Sequence, residues 1–483
     1  MLMAGLLLFP GGGAAEPPAL PAGLGGVANP DEDSREQPPV PAGLEGLASQ
    51  QDAAGEPDLP APAAPTMEAT SEPRSFRDSL PDWLGLTGFL ESRAGFRLQN
   101  DPHEKNSSIG EARVQLEADA VAQGFVVELT TDMYYDWVTG DTALDLEQGR
   151  GYLDIRKACV GYSPFSFMDV KVGRQILTWG TGDLIFINDL FPKDWQSFFI
   201  GRDDEYLKAP SDAAKISFYT GLVNVDVVYT PNFDADRYVT GRRLSYWNGS
   251  AVVGRNDIVR VHRPDDWFSD DELALRLSKN VSGYELALYG YVGYWKSPAG
   301  QDPVSMKRLF PRLSVYGASL RGQVGSGIGY IELGYYDSRD DRSGRDPFIN
   351  NSQMRYLAGY EQDLPGIAND LTFGMQYYVE QTLRFNRYRR ALPQGNKAVK
   401  EYRQLVTLRI TRLFFNQNLT CSLFAYISPT DSDLYFRPSV GYKLNDHVLV
   451  ELGGNIFAGA HRYTFFGQFR DNTNGYAAVR YSF

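Results

Sequence analysis

The 483 residues include four histidines, His103, His262, His447 and His461. A hydrolase built on a nucleophile, an imidazole and an orienting partner would have to draw on one of them. His447 falls at a predicted tight turn and the other three in predicted loops. His461, near Tyr463, has no nucleophile that the sequence sets beside it. Cys159 and Cys421 lie in separate strand candidates, at a spacing that suits neither a metal site nor haem attachment. Asp234, Asp236, Asp257, Asp265 and Asp266 share one predicted loop but lack EF-hand spacing, so they read as solvated surface charge. No enzymatic activity, metal or other cofactor is expected.

The remaining chemistry is charge at alternate positions. Val223, Val225, Val227 and Tyr229 share one parity, and Asn224 and Asp226 the other. Leu273, Leu275 and Leu277 alternate with Ala274, Arg276 and Ser278 in the same way. A period of two means strands with one apolar and one wet face. The wet rows carry Arg93, Arg97, Arg113, Arg156, Lys171, Lys215, Arg276, Arg355, Arg403, Arg409, Arg437, Lys443 and Arg480. Their acids include Glu91, Glu117, Glu128, Asp154, Asp226, Glu285, Glu332, Glu380 and Glu451. In hydrocarbon each such charge costs about 2–4 kcal/mol at the midplane, so a water-filled bore is their expected place. A basic excess there selects for anions. The competing reading is that opposite charges pair across neighbouring strands and cancel.

These rows need elements to hold them. Strands are predicted near 84–99, 107–119, 122–137, 149–163, 167–178, 213–221, 222–230, 270–281, 283–296, 310–323, 326–338, 352–364, 368–384, 401–415, 417–429, 433–444, 446–459 and 474–483. That makes 18, with 16 as the alternative count. Every even-numbered strand runs into a tight turn, and most odd-numbered ones into a long polar excursion. Strands of about 10–12 residues, tilted about 40°, span an apolar band about 25 Å tall. Tyrosine and tryptophan gather at strand ends, as in Tyr134-Tyr135-Asp136-Trp137, and read as interfacial girdles. The fold class is therefore all-β: a transmembrane, antiparallel, up-and-down β-barrel over residues 81–483. The chain ends with Ala477, Val479, Tyr481 and Phe483 in one apolar row. This ending resembles the C-terminal signal by which outer-membrane barrels are read by their assembly machinery.

Residues 1–15 have a short apolar core followed by small residues, as at the end of a secretory signal. Residues 16–80 are rich in Pro, Ala, Gly and Glu, and have no aromatic before Phe76. They read as a disordered periplasmic tether, with 16–75 as a docking segment for a periplasmic partner. Within it, residues 20–28 recur in similar form at 40–48. Positions 1–80 hold twelve acidic and three basic residues, so most of the net charge of −13 belongs to them and not to the barrel. No nucleic-acid partner is expected.

One segment carries a resemblance. Gly151-Tyr-Leu-Asp-Ile-Arg-Lys-Ala158, Val170-Lys-Val-Gly-Arg-Gln175 and Trp179-Gly180 run on into Asp183, Asp189 and Pro192-Lys193-Asp194. This is similar to porins of the alginate-export and related uncharacterised outer-membrane families. The resemblance implies a monomeric barrel in the outer membrane of a Gram-negative bacterium. The implied cargo is an anionic polysaccharide or another polar solute. A sleeve for a secreted or electron-transferring partner is the alternative function. Within this segment Arg174 has the parity of lipid-facing Val172, which predicts a bulge at Gly173 that turns Arg174 toward the bore; Gln175 is counted with the motif and constriction residues. The loop over 179–212, both acidic and aromatic, is expected to fold inward as a constriction; a surface loop over the mouth is the other option.

Overall fold

The computed structural model describes residues 81, 83–140, 142–393 and 398–483. The expected signal remnant (1–15), tether (16–80) and internal repeat lie outside these residues. Eighteen long strands form one sheet: β1 (Leu84–Arg97), β2 (Ser107–Ala122), β3 (Phe125–Asp136), β4 (Leu153–Phe165), β5 (Met168–Gln175) and β6 (Ser211–Tyr219). They continue as β7 (Asn224–Thr230), β8 (Glu272–Val281), β9 (Tyr284–Tyr294), β10 (Arg312–Val324), β11 (Gly327–Ser338) and β12 (Gln353–Asp363). The last six are β13 (Leu371–Thr382), β14 (Tyr402–Phe414), β15 (Leu419–Ser428), β16 (Asp433–Lys443), β17 (Val448–Gly459) and β18 (Asn474–Ser482).

Each strand pairs antiparallel with its neighbours in sequence, and β18 returns to β1 in a register that sets Leu90 opposite Tyr481. The ring is therefore closed and has no edge strand of its own. The C-terminus is part of the seam: the backbone amides of Gly88 and Phe483 each donate to the other's carbonyl.

The predicted alternation sets the two faces. Ile331, Leu333 and Tyr335 of β11 are exposed on the outside, while Glu332, Gly334 and Tyr336 are buried inside. On β18 Val479 and Tyr481 point out and Ala478 and Arg480 point in. At one end the strands meet in tight turns such as Gln123-Gly124 and Ser282-Gly283. All four of these residues have positive φ, as a two-residue type I′ hairpin requires. At the other end the connections are long, up to the 41 residues of 231–271.

One local expectation fails. The ladder runs without interruption through Gly173, with Val172 opposite Ala214 and Arg174 opposite Asp212. Arg174 therefore stays on the outer parity of Val172, where its guanidinium meets the Asp212 carboxylate at 2.5 and 2.9 Å. The bulge lies one strand earlier, where Thr130 pairs with Lys157 but Thr131 with Ile155, leaving Arg156 as the extra residue. Gly173 has φ of +120°, and a Cβ there would lie 2.4 Å from the Ala158 carbonyl oxygen. Glycine at this position thus serves close strand contact rather than a change of face. Gln175 points inward, donating to the Ala213 carbonyl at 2.9 Å.

Candidate functional site

The candidate site is the bore together with the segment between β5 and β6. This segment, 176–210, enters the barrel and is fastened around the wall. Trp179 lies edge-on to Phe191, with ring centres 4.9 Å apart, and also packs on Tyr289 of β9. The Glu332 carboxylate of β11 accepts four hydrogen bonds, from the backbone amides and side chains of Thr181 and Asn188. Asp183 grips Arg409 of β14 at 2.5 and 2.8 Å, while its backbone exchanges two hydrogen bonds with Gln376 of β13. Farther along, Arg93 of β1 donates to the Gly201 carbonyl at 2.6 Å. Arg202 binds Glu111 of β2, Asp203 pairs with Arg480 of β18 and Asp204 with Arg437 of β16. Arg156 of β4 donates to the carbonyls of Glu205 and Lys208.

Between these polar clamps an aromatic block holds one side. The helix α1 (Trp195–Ile200) is N-capped by Asp194 and buries Phe198 and Phe199. These rings pack edge-on to Tyr435 of β16, and Phe199 also to Phe457 of β17. A cavity of about 30 Å³ remains between α1 and the wall, lined by apolar groups including Phe186, Trp195, Phe198 and Tyr426. A pocket so lined stays dry and is no route for a polar solute. On the opposite wall the fit requires bare backbone. A Cβ at Gly317 of β10 would fall 1.6 Å from Asn188 Oδ1, and one at Gly334 of β11 2.4 Å from Ile187 Cγ2.

A second long connection, 231–271, packs against the first. Arg237 makes two 2.7 Å bonds to Asp154 of β4 and reaches Asp194 at 3.5 Å. Asp236 accepts from the Lys193 amide, Trp195 Nε1 and Ser297 Oγ. Asp189 and Asp194, read from sequence as constriction residues, thus hold the segment's own shape. Asp189 takes Thr178 Oγ1 and Lys193 Nζ at 2.8 and 2.9 Å.

The predicted pore-lining residues face inward, and most are bound to a carboxylate. Arg113 is buried between Tyr134 and Tyr206 and pairs with Glu111 and Asp132. Lys171 meets Glu128 at 2.8 Å, Arg276 pairs with Glu285, and Arg403 meets Asp431 at 2.8 Å. Arg355, fully buried, stacks 3.7 Å over the Tyr336 ring and lies 3.7 Å from Glu380. Glu451 pairs with Arg93 at 2.8 Å, and Arg480 also with Glu91. Lys443 faces inward near the tight-turn end, and Lys157, Lys215 and Arg321 also face inward. Among the described residues none of these four has a carboxylate within ion-pairing distance. Pairing across strands and onto the inserted segment therefore consumes most of the basic excess. Sequence reading gave these charges a common parity but missed their partners and the glycine cradle. Glycine at an inward mid-strand position was the available signal for the cradle.

Asp234, at the rim, offers a pH test. Burial pushes its carboxyl up to about 6; Lys296 opposes that rise and Glu272 adds to it. A carboxyl whose folded-state value is raised binds a proton that the unfolded chain has lost, so its contribution to stability grows as pH falls through that window. Between pH about 7 and about 4, the melting temperature should gain an increment that Asp234→Asn lacks. Identical pH profiles for the two proteins would refute this assignment.

No protein-family model and no curated protein matches the sequence. Solved structures give looser likenesses. A double-tryptophan mutant of the Rh. blastica porin aligns over 83% of this chain and 100% of its own, at 12% identity and a TM-score of 0.35. Pseudomonas aeruginosa OccK11 (OpdR) aligns over 83% and 95%, at 9% identity and a TM-score of 0.48. The barrel assignment rests on the closed hydrogen-bond ladder itself and takes nothing from these superpositions.

Proposed function

We propose that this protein is an outer-membrane channel of porin type that passes a small polar solute through a bore narrowed by residues 176–210. The observation that carries the reading is a closed 18-strand ring, apolar outside and ion-paired inside, with its own chain threaded into it. A ring of this size leaves an aqueous interior unless something fills it. Both ends of the barrel domain lie at the tight-turn end, which in outer-membrane barrels faces the periplasm. Residues 16–80 would then be a periplasmic tail, and the Tyr481/Phe483 ending would be read by the barrel-assembly machinery.

An anionic solute is the favoured cargo, because the inward cations left without a carboxylate partner among the described residues, Lys157, Lys215, Arg321 and Lys443, give the bore its remaining net charge. The alginate-export resemblance suggests a polysaccharide. An inserted segment that reaches most of the wall favours a smaller molecule, and it occupies the space that a partner-filled sleeve would need. The test is planar-bilayer conductance of the refolded protein with reversal potential under a salt gradient. Stable steps with anion-selective reversal are expected. A folded, heat-modifiable barrel without conductance would overturn the channel reading.

A further inference from the structure

The connection 383–401, between β13 and β14, differs in charge from the others. It contains six basic residues and one acid, whereas 176–210 has three basic and six acidic. A helix α2 (Phe385–Ala391) presents Arg387, Arg389 and Arg390 to solvent, with exposed Arg384 immediately before it. The three-residue spacing of Arg384, Arg387 and Arg390 sets them along one side. Among the described residues no carboxylate lies within ion-pairing distance of any of the four, unlike most arginines of the bore.

Of these four guanidiniums, Arg387 alone bonds the neighbouring connection, among the described residues. The loop's Leu383 exchanges bonds with Asn351 and Ser352, and Arg387 reaches the Ser343 carbonyl, all on the connection between β11 and β12. It stands directly above an outward aromatic girdle. Tyr402 starts β14 two residues after Lys400, and Tyr335, Tyr356 and Tyr377 are exposed on the adjoining strands. Amphipathic rings sit at headgroup depth, and Arg384 follows Gln381, the register partner of Tyr402, by three residues, so the arginines lie beyond the rings on the side of the lipid phosphates.

We infer that Arg384, Arg387, Arg389 and Arg390 form a docking surface for the phosphate groups of an outer-leaflet glycolipid, the phosphorylated diglucosamine of lipopolysaccharide. Guanidinium groups bind phosphate oxygens in bidentate fashion, and four uncompensated ones next to a girdle match two phosphates on one headgroup. The inference rests on the outer-membrane reading, but its test does not require conductance.

The full-length protein in detergent micelles is titrated with diphosphoryl lipid A and followed by native mass spectrometry. Wild type should bind at least about 30-fold more tightly than a variant with all four arginines changed to Gln. A four-Lys variant should keep most of the affinity, and heat-modifiability of all three confirms a folded barrel. Equal binding by wild type and the Gln variant would overturn the proposal. So would binding of inorganic phosphate or a soluble acidic polysaccharide at this loop without lipid A binding. A protein that conducts but does not bind lipid A defeats this inference alone, while failure to insert into membranes defeats the reading beneath it.

Discussion

Changing Asp183, Asp203 and Asp204 together to Ala is expected to raise single-channel conductance roughly threefold or more, because the inserted segment loses three of its charged clamps. These residues bind Arg409, Arg480 and Arg437, which stand on β14, β18 and β16. Charge-assisted bonds contribute about 1.5–3 kcal/mol each when buried and less at Asp203 and Asp204, whose carboxylates are part-exposed, so removing three gives up roughly 4 kcal/mol of anchoring. A loss of about 4 kcal/mol shifts a two-state equilibrium roughly a thousandfold toward the released form. The aromatic block around Phe198 and Phe199 remains as a hinge, and so do the four bonds to Glu332 and the Arg202–Glu111 pair. The segment should therefore swing rather than unfold, and three freed arginines should increase anion selectivity. Planar-bilayer recording of the variant beside wild type reads both quantities. Unchanged conductance, with the barrel still folded, would mean that the segment is not what limits flow.

Much of the architecture is legible because a barrel strand repeats a strong constraint. One face must be apolar and the other cannot be, so period-two alternation locates all 18 strands, and parity alone assigns Arg276 and Arg480 to the interior. Tight-turn residues mark one end for the same reason, since Gln123-Gly124 must adopt positive φ at both positions. Parity fails where the ladder slips. An extra residue at Arg156 and an unbroken run through Gly173 look alike in sequence, so Arg174 was expected inside and lies outside. Partner choice is not legible either. Nothing in the spacing of Asp183 indicates that its guanidinium lies 226 residues away on Arg409. The route of 176–210 is likewise fixed by complementary wall features, such as the bare backbone at Gly317, which acquire meaning only once β10 faces Asn188.

The largest stability effect is expected at Arg113. Its guanidinium is sandwiched between the rings of Tyr134 and Tyr206, with its carbon 4.6 and 4.4 Å from their centres, and it pairs with Glu111 and Asp132. Arg113→Met keeps much of the packing but leaves two buried carboxylates facing each other's field. Glu111 retains Arg202 and Arg243, whereas Asp132 keeps, among the described residues, the 2.8 Å bond from Gln115. Removing one partner of a buried pair costs about 3–5 kcal/mol, chiefly through the charge left behind. The loss should therefore be recovered in large part by Arg113→Met combined with Asp132→Asn, which neutralises the orphan. Arg113→Lys should fall between, since an ammonium restores charge but neither the planar stack nor the forked geometry. Urea midpoints of the refolded barrel in micelles, followed by the shift between folded and unfolded bands, report all three. A loss below about 1 kcal/mol for Arg113→Met would show that the pairs are solvated in the bore and contribute as surface pairs do. Tyr206 also belongs to the inserted segment and stacks on Arg156 from the other side. The same variant should therefore loosen the turn at Asp204–Leu207, so that a stability change and a noisier channel appear together.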